Sequence, residues 1–332
     1  TTTTTTTPTT TVCFHHPLIV VVPCYNEEHR LPITDFLTYA HAQASCPHPA
    51  LFLLVNDGST DRTLQILNEL QIKIPRSFHV LNLQQNSGKA EAVRQGMLHA
   101  LSMKQNESNK HQIIGFWDGD LATPLSTLNI FMDVFVQRKQ VEMVFGSRVA
   151  LLGRDIQRHA SRHYLGRIFA TLASLLLRLR VYDTQCGAKL FRSSKNLKQA
   201  LSEKFENSWI FDVELIARLQ LQRERIRAAQ KESKQPVLLP LSSTIFESPL
   251  DSWRDISGSK LSLKHKTSAL YGLFHIWRRY TSPWKDWHPT LVDDDDDDDD
   301  SAAANGNDSK LYFLVFLLLL FLVTFVCAWL IK

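Results

Sequence analysis

The chain is predicted to be an α/β protein built on a mixed, mainly parallel sheet. Three observations carry that prediction. Short apolar runs rich in β-branched or aromatic residues alternate with helical patterns up to residue 145. Alternation of this kind argues for a parallel sheet covered on both faces. Three of the runs end in polar clusters that carry carboxylates, and open sheets bind ligands beyond the carboxyl ends of their strands. Finally, two amphipathic patterns and a long C-terminal apolar run add interface helices and one transmembrane helix to the expected architecture.

The elements follow in order. Residues 1–16 are threonine-rich and lack a basic segment followed by an apolar stretch, so they are not a secretory signal peptide and are expected to be disordered. A folded domain is expected over 17–255. Strands are predicted at 18–23, 51–56, 78–83, 113–117 and 143–147, with helices at 27–44, 61–72 and 89–102 between the first four. Strand 18–23 leads into Cys24-Tyr25-Asn26-Glu27-Glu28, strand 51–56 into Asp57-Gly58-Ser59-Thr60-Asp61, and strand 113–117 into Asp118-Gly119-Asp120. Those three ends converge on one rim.

Helix 161–180 places Leu165, Phe169, Leu172, Leu176 and Leu179 on one side and Arg167, Thr171, Ser174 and Arg178 on the other. A further helix is predicted over 213–224. In the juxtamembrane segment 256–290, the stretch 260–280 sets Leu263, Leu270, Phe274 and Trp277 against Lys260, Lys264, Lys266, Arg278 and Arg279. Cationic amphipathic helices either lie in a membrane interface or pack on the sheet; proximity to the apolar run favours the membrane for 260–280. The linker 291–309 contains eight consecutive aspartates, Asp293 to Asp300. Like charges repel, so it reads as an extended spacer.

Residues 311–331 hold Thr324 as their only clearly polar side chain. At about 1.5 Å per residue such a run spans the roughly 30 Å hydrocarbon core. Lys310 and Lys332 flank it, and Tyr312 and Trp329 sit where aromatics favour the headgroups. The alternative is a buried core helix. The expectation is a C-terminal anchor with the folded domain in the cytosol.

The net charge of +4 over 332 residues includes the eight aspartates of the linker, so the folded body is far more basic than that figure. A basic body suits a polyanionic substrate or an anionic membrane surface. Nucleic acid is disfavoured as a partner, because the positive excess lies beside apolar helices and a membrane span. The five cysteines (Cys13, Cys24, Cys46, Cys186, Cys327) show no paired or metal-ligand spacing and read as thiols in a reducing compartment.

Asp118-Gly119-Asp120 is the central chemical signal. Two carboxylates on a strand-end turn offer hard oxygen ligands to Mg²⁺ or Mn²⁺. Such an ion neutralises a diphosphate and stabilises it as a leaving group. The motif alone recurs by chance in loops; Asp57 at an equivalent strand end strengthens it. Thr60 or Asp61 is expected to cap the following helix while Asp57 faces the ligand. Lys89, at the start of the next helix, is placed to meet a nucleotide.

Pro23-Cys24-Tyr25-Asn26-Glu27-Glu28, Asn56-Asp57-Gly58-Ser59-Thr60-Asp61, Gly88-Lys89 and Asp118-Gly119-Asp120 resemble the sugar-nucleotide half of family 2 glycosyltransferases with the GT-A fold. Gly146-Ser147-Arg148, the run Asp183-Thr184-Gln185-Cys186-Gly187-Ala188-Lys189 and the run from Trp209 through Asp212 to Glu214 resemble the dolichyl-phosphate glucosyltransferase branch. The resemblance spans 18–265. It implies that Pro23, Tyr25, Glu27 and Asp57 hold the nucleoside and that Asp118 and Asp120 serve ribose, diphosphate and metal. It also implies UDP-glucose as donor and dolichyl or another polyprenyl phosphate as acceptor. Eukaryotic members of the branch usually carry their membrane helix at the N-terminus, whereas here it is C-terminal.

The expected chemistry is inverting displacement at the anomeric carbon. A phosphate acceptor, with a second pKa of about 6, is already ionised near neutrality and needs docking more than a strong base. Arg148 is the first candidate to dock it, the alternative being a surface cation. Arg154, Arg158 and Arg162 are expected to face lipid headgroups. Asp183 accepts a proton, orients the acceptor, or merely ends a helix. Asp212 and Glu214 touch the sugar hydroxyls, unless Asp212 only caps its helix. Cys186 reads as a packing residue. The competing readings are GDP-mannose-dependent transfer to the same lipid, a membrane-tethered module without activity, and a dinucleotide oxidoreductase. The last wants G-x-G-x-x-G after the first strand, where this chain has no glycine.

Overall fold

The computed structural model describes residues 13–103, 112–157, 160–233, 237–256 and 263–281, with only the backbone described at 160–165, 263–268, 270 and 281. Most of the threonine-rich tract, the acidic linker and the predicted span at 311–331 lie outside the described residues. No helix among the described residues is long and apolar enough to cross a membrane.

The chain runs β1 (Leu18–Cys24), α1 (Ile33–Ala42), β2 (Leu51–Asp57), α2 (Thr63–Lys73), β3 (Phe78–Leu83), α3 (Lys89–Ser102), β4 (Ile113–Trp117), α4 (Thr127–Gln137) and β5 (Met143–Ser147). It continues through β6 (Asp155–Gln157), α5 (Ala160–Leu177), β7 (Ala188–Arg192), α6 (Lys195–Ala200), α7 (Phe211–Glu232), β8 (Ile245–Pro249), β9 (Ser252–Arg254) and α8 (Leu263–Ile276). Seven strands form one sheet in the order β3-β2-β1-β4-β7-β5-β8; β6 and β9 pair separately. Strands β1 to β4 are parallel, β7 runs antiparallel to both β4 and β5, and β8 is parallel to β5. The mixed, mainly parallel sheet agrees with the sequence prediction.

The period of two along each strand builds a three-layer sandwich. Ile19, Val21, Leu53, Val55, Ile114 and Phe116 join one core, against α3, α5, α7 and α8. Leu18, Val20, Val22, Phe52, Leu54 and Trp117 join the other, against α1, α2 and α4. Each such side chain stabilises by about 1.5–3 kcal/mol on full burial.

The alternatives left open for the amphipathic segments resolve here towards packing on the sheet, and the cysteine reading is corrected. Helix α5 buries Leu172 and Leu176 in the main core, with Phe169 packed on it and Leu179 buried just after its end, so its apolar face is covered by protein. Helix α8 likewise buries Ala269, Leu273 and Ile276, with Tyr280 buried in the turn that follows, and contacts α5 and α7. The packed unit therefore extends to Thr281, past the boundary expected at 255. Cys13 and Cys46 form a disulfide, which corrects the reading of every cysteine as an unpaired thiol. Residues 33 apart in sequence meet because the segment before β1 folds back on the loop after α1, and spacing alone carries no trace of that.

Candidate active site

The rim forms where β1, β2 and β4 end side by side. The loop after β1 is fastened to the loop after β2 by reciprocal hydrogen bonds. The amides of Asn26, Glu27 and Glu28 donate to Ser59 Oγ (3.1 Å), Thr63 Oγ1 (2.7 Å) and Asp61 Oδ2 (3.2 Å). In return the Thr60 amide donates to Asn26 Oδ1 at 2.9 Å. Asp61 Oδ1 also accepts from the Thr63 amide at 2.9 Å, while the N-cap of α2 is Arg62, without a side-chain cap, and not Thr60 or Asp61 as expected. This lacing fixes the loop that holds Tyr25 and Glu27, directly after Pro23 in β1.

Asp57 is buried and accepts from the amides of Ser87 and Gly88, both at 2.8 Å. Its carboxylate thus clamps the turn that delivers Lys89 to the rim. Gly58 makes this clamp sterically feasible. It has φ +63°, and a Cβ there would stand 2.4 Å from Asn86 N.

Lys89 Nζ donates to Asp118 Oδ1 at 2.5 Å. Burial pulls the ammonium down, but the charges of Asp118, Asp212 and Asp120 outweigh it and hold Lys89 above the usual lysine value. Asp120 accepts from the Ala122 amide at 3.1 Å and lies 3.9 Å from the Arg30 guanidinium. Burial, and then the charge of Asp118, push its carboxyl above the usual range. A carboxylate whose proton affinity is raised by a neighbouring carboxylate's charge calls for a cation. Mg²⁺ commonly takes one or two protein carboxylates and completes its shell with substrate phosphates and water. Asp118 and Asp120 fit that donor set, and among the described residues no cluster of three or more acidic, histidine or cysteine ligands exists.

Asp118 is also seated on the second half of the fold. Its amide donates to Gly187 O at 3.0 Å, and a Cβ at Gly187 would stand 2.0 Å from its Oδ2. Beyond Gly187 opens a cavity of about 230 Å³. Lys89, Arg148 and Asp212 bring charge to its wall; Phe116, Trp209 and Phe211 supply apolar surface. Gln185 and Ser208 also line it, and no role had been read for either from the sequence.

The charged groups on this side are paired with each other. Arg148 Nε and Nη2 donate to Asp183 Oδ2 and Oδ1 at 2.6 and 2.8 Å, and the Arg148 amide reaches Oδ2 at 3.2 Å. The guanidinium lies 5.3 Å from the centre of the Trp253 ring. Glu247 on β8 in turn accepts from the amides of Tyr182 and Asp183, both at 2.7 Å. Both Asp183 oxygens are thus engaged by Arg148, and the carboxylate orients that guanidinium.

Lys189 is fully buried on β7, donating to Asp212 Oδ2 at 3.0 Å and to the Cys186 carbonyl. The sequence held a signal for this: the alternation along Ala188–Arg192 puts Lys189 on the core face beside Phe191, where a charge demands a partner.

Glu214 lies away from the cavity. It is wholly buried, bound to Arg218 Nη2 at 2.7 Å and to the Glu206 amide at 3.0 Å, and burial lifts its carboxyl above the usual range. The expectation that Glu214 touches sugar is therefore corrected. Two residues apart on a helix point about 200° apart, so Asp212 and Glu214 cannot face one cavity. Arg154 pairs with Asp251; Arg158 and the side chain of Arg162 lie outside the described residues. Burial pushes the Cys186 thiol up to about 11, as befits a packing residue.

The sequence profile of glycosyl transferase family 2 matches residues 19–198. The dolichyl-phosphate beta-glucosyltransferase of Saccharomyces cerevisiae is 30% identical over 261 residues, covering 74% of this chain and 69% of the yeast protein. Its counterpart in Drosophila melanogaster is 31% identical over 274 residues, covering 79% and 74%. Glucosyl-3-phosphoglycerate synthase of Mycobacterium tuberculosis, solved with Mn²⁺, uridine diphosphate and glucosyl-3-phosphoglycerate, superposes with a TM-score of 0.50 at 14% identity, covering 79% of this chain and 80% of that one. That likeness concerns the fold, which is GT-A-like. The chain is a glycosyltransferase: it belongs to glycosyl transferase family 2 and is similar over most of its length to proteins named dolichyl-phosphate beta-glucosyltransferase.

Proposed function

We propose that the chain transfers glucose from UDP-glucose to dolichyl phosphate, or a related polyprenyl phosphate, at the cytosolic face of a membrane and with inversion. The reading rests on one juxtaposition. The Asp118/Asp120/Lys89 rim and the cavity walled by Arg148 and Asp212 meet across Gly187, in a chain similar to relatives named for glucosylating dolichyl phosphate.

Pro23, Tyr25, Glu27 and Asp57 belong to the laced strand ends that would form the nucleoside side. Asp118 and Asp120 would hold Mg²⁺ or Mn²⁺, whose bound charge stabilises the leaving diphosphate. Lys89, already cationic at the rim, adds positive charge on the same side. The acceptor phosphate oxygen attacks the anomeric carbon as the bond from that carbon to the diphosphate breaks, releasing UDP. No strong base is required, because the attacking oxygen is already anionic. Arg148, pre-oriented by Asp183, faces the acceptor phosphate from the cavity wall. Asp212, fixed by Lys189, meets the sugar hydroxyls. The segment 311–331 would anchor the domain in the membrane, that of the endoplasmic reticulum in a eukaryote.

Purified full-length protein given labelled UDP-glucose or GDP-mannose, a divalent cation and a polyprenyl phosphate tests this. Label should enter the organic phase from UDP-glucose. Preference for GDP-mannose overturns the donor; transfer from neither, with nucleotide still bound, leaves only a tethered binding module.

A further inference from the structure

The turn between Arg148 and β6 has a shape that the reaction does not explain. The amide of Leu151 donates to Val149 O at 3.0 Å and that of Arg154 to Leu151 O at 3.1 Å, and Gly153 takes φ +82°. Both ends are pinned. Arg148 is bound to Asp183, Arg154 pairs with Asp251, and the Asp155 amide donates to Asp251 O at 2.9 Å. At the tip, Leu151 is 48% exposed and Leu152 is 104% exposed. Single exposed leucines are ordinary on protein surfaces. Two in succession on a turn fastened at both ends are a different matter, because the turn cannot fold back to bury them.

We propose that this turn is a membrane-contacting tip, with Leu151 and Leu152 entering bilayer hydrocarbon and setting the cavity beside Arg148 at headgroup height. The inference rests on the lipid-phosphate reading of the acceptor. Leu152 is four residues from Arg148, so the tip lies within about 14 Å of the cavity wall along the chain. That reach brings a headgroup phosphate to Arg148 while the tip is submerged. The form of the tip selects the bilayer over a single isoprenoid tail. A groove that cradles one chain half-buries its lining side chains, whereas Leu152 projects wholly into solvent.

Two measurements on full-length protein reconstituted in phosphatidylcholine vesicles test the tip. In the first, Leu151→Asp/Leu152→Asp is assayed with a long-chain polyprenyl phosphate in the bilayer and with a short water-soluble prenyl phosphate. Burial of each leucine is worth roughly a tenfold preference or more, so KM for the embedded acceptor should rise at least about tenfold while turnover of the soluble one holds. Equal KM on the embedded acceptor, or an equal loss on both, overturns the proposal. In the second, Leu152→Cys carrying an environment-sensitive fluorophore should be quenched by acyl-chain nitroxides. Absence of quenching, or a blue shift already present without vesicles, places protein rather than lipid over the tip and overturns it. If the parent protein glucosylates neither acceptor, the functional reading fails, and the quenching result still decides the tip by itself.

Discussion

The two halves of the sheet hold their functional charges in opposite ways. On the β1–β4 side, Asp57 and Asp61 are satisfied by backbone amides, and Asp118 and Asp120 stand together at the rim with Lys89 and Arg30 nearby. On the β5–β7–β8 side, three buried pairs match charge with charge: Arg148 with Asp183, Lys189 with Asp212, Glu214 with Arg218. In the proposed reaction the first arrangement offers its rim carboxylates to a cation and a diphosphate. The second spends its charges on one another to fix geometry. Removing a rim charge should therefore cost activity alone, and removing a paired charge should cost stability as well.

The largest expected effect is at the rim. Asp120→Ala should lower transfer by about 10²-fold or more while the thermal midpoint stays near that of the parent. A variant that keeps full activity removes Asp120 from the metal site. Next, Asp183→Asn strips Arg148 of its buried counter-charge and should cost about 3–5 kcal/mol of stability, together with most activity. Arg148→Met/Asp183→Asn should recover stability in denaturant titration without recovering turnover. Recovery of both would make the pair purely structural. Lys189→Met leaves Asp212 unpaired and should destabilise in the same range, with Lys189→Met/Asp212→Asn regaining stability.

Gly187→Ala sits on the seam between the halves. Its Cβ pushes into the Asp118 carboxylate, so transfer should fall about tenfold to a hundredfold with little loss of stability. Unchanged kinetics would show that Asp118 tolerates displacement. The smallest effect sharpens the electrostatics. The Asp120 carboxyl is raised by burial and by Asp118, so its ionisation opposes folding once pH exceeds that raised value. Metal-free Asp120→Asn should melt higher than the parent at neutral pH, and the gain should vanish as pH falls below the ordinary carboxylate value of about 4.

The same contrast explains how far the sequence could be read. Strand-end position exposed Asp57, Lys89, Asp118 and Asp120, because each lies within a few residues of an apolar run whose direction fixes where it points. Arg148, Asp183 and Asp212 were identified as candidates, but their pairing was not, since partners 35 and 23 residues apart meet only through the antiparallel insertion of β7. That strand was itself unread, and it runs antiparallel to both of its neighbours. Glu214 misled because it shares a short motif with Asp212, although helical geometry turns the two apart. The amphipathic faces of α5 and α8 were legible; what covers them was not, because a core and a bilayer ask for the same apolar stripe.

Chelation tests the central claim most directly. Transfer of labelled glucose from UDP-glucose to a polyprenyl phosphate by full-length protein should stop in excess chelator and return on adding Mg²⁺ or Mn²⁺. Turnover that continues undiminished in chelator would contradict a diphosphate held through Asp118 and Asp120.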